Sequence, residues 1–179
     1  MKPISLLIER LGRIVQNDAH AHGLKPTQWE ALRYLARANR FSRTPSALTR
    51  YLGMTKGTVS QTLSALEKKG LIVKLRDPSD KRAVQLSLSQ SGSALLQRDP
   101  LLRLDGGEHA GHEDVLAPLL ENVLRSMVAE RGGRPFGMCK NCAHFQTDAA
   151  HGTPFFCGLL AEPLSADDSQ AICVEQTYA

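Results

Sequence analysis

The run DPSDKRAVQLSLSQSG, residues 77–92, limits more than any other stretch what this chain can fold into. Before it, Leu71, Val73 and Leu75 alternate with Ile72, Lys74 and Arg76; within it, Val84, Leu86 and Leu88 repeat the alternation. A period of two on both sides of a turn predicts a β-hairpin with amphipathic arms. Pro78 and Ser79 form the turn, and Lys81 and Arg82 place positive charge on the return. A basic tip on amphipathic arms suits a wing that reaches a phosphate backbone. The plain alternative is a solvated hairpin, and the helices before it decide.

Apolar residues at three- and four-residue spacing (Ile4, Leu7, Ile8, Leu11, Ile14, Val15) predict an amphipathic helix over 4–20, stopped before Gly23. A second helix follows Pro26, either with that proline in its first turn or with a Thr27–Glu30 capping box. Trp29, Leu32, Leu35 and Ala36 form its buried face, and Arg37, Arg40 and Arg43 follow in a polar connection. Thr44-Pro45 caps a third helix whose apolar face is Leu48, Tyr51 and Leu52, ended by Gly53. A fourth helix runs from about Thr55 to Lys69. Val59, Leu63 and Leu66 make its buried stripe. Its other face carries Thr55, Lys56, Thr58, Ser60, Gln61 and Ser64, small hydroxyl and amide side chains with one lysine. A merely solvated helix would show Glu and Lys there. Hydroxyls and amides contact phosphates and base edges, and their size lets the backbone come close. Two short helices around Gly53, then a basic hairpin, read as a winged helix-turn-helix.

Charge follows the same division. Residues 1–98 hold 17 Lys/Arg against 6 Asp/Glu, residues 99–135 hold 4 against 7, and residues 136–179 hold 1 against 5. The net +4 therefore conceals a strongly basic head and an acidic extension, the footprint of a nucleic-acid-binding domain. No apolar run is long enough to span a bilayer, and Glu9, Arg10 and Arg13 interrupt the N-terminal apolar pattern, which excludes a signal peptide. The expected location is the cytoplasm.

GLKPTQWEALRYL (23–35), SALTRYLGMTKGTVSQTLSALEKKGLI (46–72) and the 77–92 run together closely resemble the multiple-antibiotic-resistance regulator (MarR) family. The resemblance covers about residues 4–98, and its most diagnostic part is the Asp-Pro-x-Asp-x-Arg wing. It implies a homodimer formed by the first and last helices and bound to a pseudo-palindromic double-stranded DNA operator. It places the helix from Thr55 in the major groove and Arg82 or its neighbours in the minor groove. The family's usual Thr before the fifth helix is Ser89 here, which keeps a capping hydroxyl.

Beyond the head, a helix is expected over 93–104, kinked near Pro100 and broken at Asp105-Gly106-Gly107. Val115, Leu116, Leu119, Leu120, Val123, Leu124 and Met127 then form an apolar stripe too broad for a lone helix, suited to a dimer interface shared with the first helix. Pro118 suggests that this helix starts near it. His109 and His112 read as solvent-exposed loop residues.

After the hinge at 132–135 the chain changes character. All four cysteines, Cys139, Cys142, Cys157 and Cys173, lie in this tail, spaced C-x2-C-x14-C-x15-C, with four of the five phenylalanines (136, 145, 155 and 156). The tail is too short to bury a core of its own, so a metal centre is its natural organiser. Zinc ribbons pair their cysteines in two short knuckles, whereas iron–sulfur clusters accept dispersed thiolates in an apolar shell. The run also resembles the cluster segment of high-potential iron–sulfur proteins, through Cys142-Ala143-His144-Phe145, Cys157-Gly158-Leu159 and Pro163-Leu164. That resemblance implies one [4Fe–4S] cluster per subunit held by the four cysteines; zinc is the alternative.

The expected architecture is mainly α with a small β-hairpin wing. Residues 1–98 are the winged helix-turn-helix with its N-terminal dimer helix, 99–133 the C-terminal dimerisation helices, and 134–179 the metal-organised tail. The expected function is a regulator, a repressor by preference, whose operator binding depends on the cluster as a sensor of redox state, oxygen or iron. Chain order suggests that the cluster acts through the adjoining dimer helix, by changing the spacing of the recognition helices. Two other readings are a sensor of a small aromatic or antibiotic ligand with structural zinc, and an electron-transfer component. No Ser/His/Asp arrangement or phosphate loop points to an enzyme.

Overall fold

The computed structural model describes residues 3–21, 23–76, 84–99, 101, 113–133, 136–147 and 153–177. Helix α1 (Ile4–Ala21) leads to α2 (Pro26–Arg37), α3 (Pro45–Leu52) and α4 (Lys56–Lys68), then strands β1 (Ile72–Arg76) and β2 (Val84–Leu88), then α5 (Gln90–Leu96) and α6 (Glu113–Glu130). Capping chemistry sets these limits. Pro26 opens α2, and the Lys25 N–H donates to Gln28 Oε1 at 3.1 Å, so Thr27 and Glu30 are not the box. Thr44 Oγ1 accepts from the Ala47 N–H at 3.1 Å, and Gly53 ends α3 in the left-handed region at φ 61°. Thr55 Oγ1 accepts from the Thr58 N–H at 3.2 Å and starts α4.

The core of the head gathers Trp29, Leu32 and Leu35 of α2, Leu48 of α3, Val59, Leu63 and Leu66 of α4, Ile72 and Leu86 of the hairpin, and Leu96 of α5. Each such side chain contributes about 1.5–3 kcal/mol on burial. The antiparallel hairpin pairs Ile72 with Leu88, Lys74 with Leu86 and Arg76 with Val84. This corrects the expected apolar set of the first arm. The inward residue of β1 is Ile72, while Val73 and Leu75 are half exposed. Leu71 is buried because it precedes the strand, in the turn where its carbonyl accepts the Ser89 N–H at 3.0 Å.

The helix expected over 93–104 starts earlier and stops sooner. Ser89 Oγ accepts from the Gly92 N–H at 3.0 Å and begins α5 three residues ahead of Ser93. Asp99 is drawn inward to Arg33, which takes the chain off the helical path. Pro118 lies inside α6 rather than at its start, in the second turn, where it removes one backbone donor. At the other end the Gly133 N–H donates to the Val128 carbonyl at 3.0 Å and Gly132 takes φ 66°, so the glycines of the expected hinge form a helix stop.

The tail is a set of short strands. Strands β3 (Gly137–Met138) and β7 (Ile172–Cys173) pair antiparallel, and β4 (Phe145–Gln146), β5 (Phe155–Cys157) and β6 (Glu162–Leu164) form a second antiparallel sheet; α7 (Ala166–Gln170) leads into β7. This tail is not a separate body. Val174 belongs to the core of the head, with Ile172 and Phe136 packed against it. Among the described residues, no helix is long and apolar enough to cross a membrane.

Candidate metal centre and nucleic-acid face

Backbone turns and sheet pairing bring the four cysteines together. A single 3-10 turn starts at Cys139, and the Cys142 N–H donates to the Cys139 carbonyl at 3.0 Å, which explains the two-residue spacing of this pair. Cys157 ends β5 opposite Phe145, and Cys173 lies in β7 opposite Gly137. All four line one small cavity, with Phe145, Leu159, Leu160 and Leu164 as its apolar wall and His144 and Glu175 at its margin. Cys139 and Cys173 are buried, and Cys142 and Cys157 are half-buried. Among the described residues, no three His, Cys, Asp or Glu side chains close on the position of a single ion.

Donors are aimed at the sulfurs. Asn39 Nδ2 donates to Cys139 Sγ at 3.2 Å, and the Thr177 N–H to Cys142 Sγ at 3.5 Å. Cys139 donates to Cys173, and this hydrogen bond is the main reason the Cys173 thiol is pulled down to about 6. The Glu175 backbone N–H, Asn39 and Ser42 lower it further, against burial. The same bond, with burial, pushes the Cys139 thiol up. A lowered thiol is a thiolate near neutral pH, the form that binds metal. The donor set has the chemistry of a metal centre, iron–sulfur or zinc: four cysteines lining one cavity, an apolar wall and N–H donors to sulfur.

The phenylalanines divide. Phe145 and Phe155 lie with centroids 5.2 Å apart and pack on the cysteine cluster. Phe136 does not join them; it stands edge-on to Tyr51 at 5.1 Å and to Tyr34 at 6.4 Å, in the head. Its place by the cysteines is taken by Phe41, from the connection between α2 and α3. That connection was legible only as a polar linker. In the structure it meets the tail throughout: the Asn39 N–H donates to the Ile172 carbonyl at 2.9 Å, Arg40 Nη1 to Asp168 at 2.7 Å, and the Val174 N–H to Ser42 Oγ at 2.9 Å. The tail is thus tied to the winged-helix head itself and not only, as chain order suggested, to the end of α6.

On α4, Thr55, Lys56, Thr58, Ser60 and Gln61 are exposed on one surface and Ser64 is half-buried. A Cβ on Gly57 would meet only Thr55 Oγ1, at 3.8 Å, so this end of α4 presents bare backbone to whatever approaches. Lys81 and Arg82, with the rest of the wing tip, and His109 and His112 lie outside the described residues.

Comparison with known proteins agrees with this geometry. The family model for the MarR family matches residues 22–83. The uncharacterized HTH-type transcriptional regulator YkoM of Bacillus subtilis (strain 168) is 31% identical over 84 residues, 45% of this chain and 51% of that protein. The chain thus spans about half the length of this curated relative. Among solved structures, an S. aureus MepR–DNA complex aligns with a TM-score of 0.50 at 20% identity, over 73% of this chain and 99% of that one. A mutant MarR from E. coli complexed with operator DNA aligns with a TM-score of 0.50 at 21% identity, over 70% and 90%. At these identities the likeness is one of fold. With its capped fourth helix, its paired wing strands and these matches, the head of the chain has a winged-helix fold, and over residues 22–83 it is similar to the MarR family.

Proposed function

We propose that this chain is a dimeric DNA-binding regulator of transcription, a repressor by preference, whose operator affinity is set by a [4Fe–4S] cluster held by Cys139, Cys142, Cys157 and Cys173. The observation that carries this reading is the convergence of all four cysteines on one apolar-walled cavity seated against the winged helix. When bound, such a cluster supplies a centre whose redox state and integrity respond to oxygen, oxidants and iron supply. The chain's own residues hold it, exclude water through Phe145, Leu159, Leu160 and Leu164, and donate N–H groups to its ligands.

DNA is the proposed partner because residues 1–98, which include the small-residue face of α4, carry a net +11, and because the MepR and MarR structures of this fold contain DNA. The proposed dimer rests on two uncovered apolar faces. Ile4, Ile8, Leu11 and Ile14 of α1 are 46–68% exposed, and Val115, Leu116, Leu119, Leu120, Val123, Leu124 and Met127 of α6 are 41–68% exposed. Continuous apolar faces of this kind mark association surfaces.

The test is purification without oxygen, metal and sulfide analysis, and a promoter-DNA shift assay on the loaded and metal-free protein. Iron and sulfide with a change in affinity on removal support the reading; zinc in place of iron sinks it. A second reading has its own observation: a cleft lined by Tyr51, Leu124, Val128 and Phe136 together with arginines and the carboxylates of Glu30 and Glu121 offers a small aromatic effector a mixed apolar and polar site. Titration of the loaded protein–DNA complex with salicylate separates this reading from the first.

A further inference from the structure

We infer that the loop of residues 38–43 is the joint through which the state of the cysteine site reaches the DNA-reading elements, with Asn39 as its positioning residue. The inference rests on the proposed reading of that site as a cluster centre, and goes beyond it by assigning the route.

The loop is held from two sides. On the tail side, Asn39 Nδ2 donates to Cys139 Sγ, the Asn39 N–H to the Ile172 carbonyl and the Val174 N–H to Ser42 Oγ. Phe41 packs on the cysteines, with the Arg40 guanidinium over its ring at 4.4 Å. On the DNA side, the Leu86 N–H of the wing donates to the Arg43 carbonyl at 2.7 Å, and Gln85 Nε2 to the Arg40 carbonyl at 2.8 Å. Tyr34 Oη donates to the Ser42 carbonyl at 2.7 Å, and the next residue, Thr44, caps α3, which packs on α4. Six residues thus connect the cysteine site to the wing and to the helix pair that carries the recognition surface.

Asn39 makes this joint conditional. It is 1% exposed, so its amide must be satisfied inside the protein. Its Oδ1 accepts from the Ser42 N–H at 2.9 Å, which shapes the loop, and its Nδ2 has the Cys139 sulfur. A sulfur fixed as a cluster ligand is held where the Asn39 amide points. A sulfur released from the cluster is free to turn about its Cα–Cβ bond and away from that amide. Loss of the cofactor therefore leaves a buried amide donor poorly satisfied, and that amide also sets the loop holding Arg43 against Leu86. The loop responds because one of the contacts that hold its tail-side edge is weakened while those to the wing remain.

Hydrogen exchange on the full-length protein, loaded and then stripped by chelation without oxygen, tests the route. The Asn39 and Leu86 amides are expected to exchange at least tenfold faster in the stripped form, with α1 and α6 unchanged. Exchange unchanged at both amides, or changed only in α1 and α6, overturns the inference. Asn39→Asp keeps the oxygen that binds the Ser42 N–H and loses the donor to sulfur, and Asn39→Ala loses the donor without adding charge. Both should lower the reduction potential of the cluster and bring the loaded-to-stripped ratio of operator affinities towards one. A purely structural Asn39 would lower thermal stability and leave the potential at its wild-type value, which also overturns the inference. Protein purified without oxygen that contains no iron defeats the cluster reading and this inference together; iron present with unresponsive Asn39 and Leu86 amides defeats the inference alone.

Discussion

The Asp99 carboxylate, with no exposed surface, takes both arms of the Arg33 guanidinium, Nε at 2.6 Å and Nη2 at 2.7 Å. Its Oδ1 also accepts the Leu101 N–H at 3.1 Å. This pair fastens α2 to the start of the connection that leads to α6. Removing one partner of a buried pair leaves the other charge uncompensated, so Asp99→Ala should cost about 3–5 kcal/mol. Urea unfolding of the variant checks this, and a loss below about 1 kcal/mol would show the pair to be incidental.

Gly92 in α5 lies so close to the turn before β1 that a Cβ would sit 2.1 Å from the Leu71 carbonyl oxygen, a backbone atom. Gly92→Ala must push α5 off the hairpin, at a cost of about 1–3 kcal/mol or more. A drop in melting temperature is expected, with weaker DNA binding because the wing is displaced.

For DNA, the basic head predicts affinity that falls steeply with salt. Arg82→Ala should cost on the order of 1–3 kcal/mol in operator binding if it makes a groove contact. Binding by fluorescence anisotropy across a salt series reads both, and a flat salt response would remove the basis for the DNA reading.

Assembly is tested on α6. Leu120 is half exposed in the single chain, so Leu120→Asp should fold but lose the dimer, at a cost of several kcal/mol to association. Light scattering at micromolar concentration should give a dimer for wild type and a monomer for the variant.

For the tail, protein prepared without oxygen should be brown, with about four irons and four sulfides per chain. Cys157→Ser or Cys173→Ser should strip or weaken the cluster and change operator affinity while the head stays folded by circular dichroism. An unchanged iron content in both variants would show that other residues hold the metal.

Much of the head could be read from the chain because its signals are local. Thr44-Pro45, Thr55 and Ser89 cap helices through oxygens three residues from the amides they accept, and Val59, Leu63 and Leu66 mark one face by spacing alone. The four cysteines were legible as a set because they stand together in an otherwise cysteine-free chain. What could not be read is what depends on the third dimension. Whether Ile72 or Val73 faces inward is decided by the register against Leu88 and Leu86, and alternation looks the same either way. Asn39, Phe41 and Ser42 have no periodicity and no motif; they matter because the tail returns to them from a hundred residues away or more. Phe136 was grouped with the cysteines by proximity in sequence, yet the tyrosines of the head offer it a closer aromatic partner.

The burial of Val174 among α2, α3 and the hairpin bears on how this protein comes to be folded in the cell. A winged helix alone has mostly short-range contacts and can settle as soon as it leaves the ribosome. Here the Ser42 and Asn39 contacts close loops of 132 and 100 residues. Closing such loops is an entropic search that short-range folding avoids, and mean contact separation governs folding speed. The nascent head therefore waits, its apolar surface at α2 and α3 uncovered, until the last strand has been made. A gene cut after α6 would yield a head that stays in that waiting state, prone to stick to its neighbours.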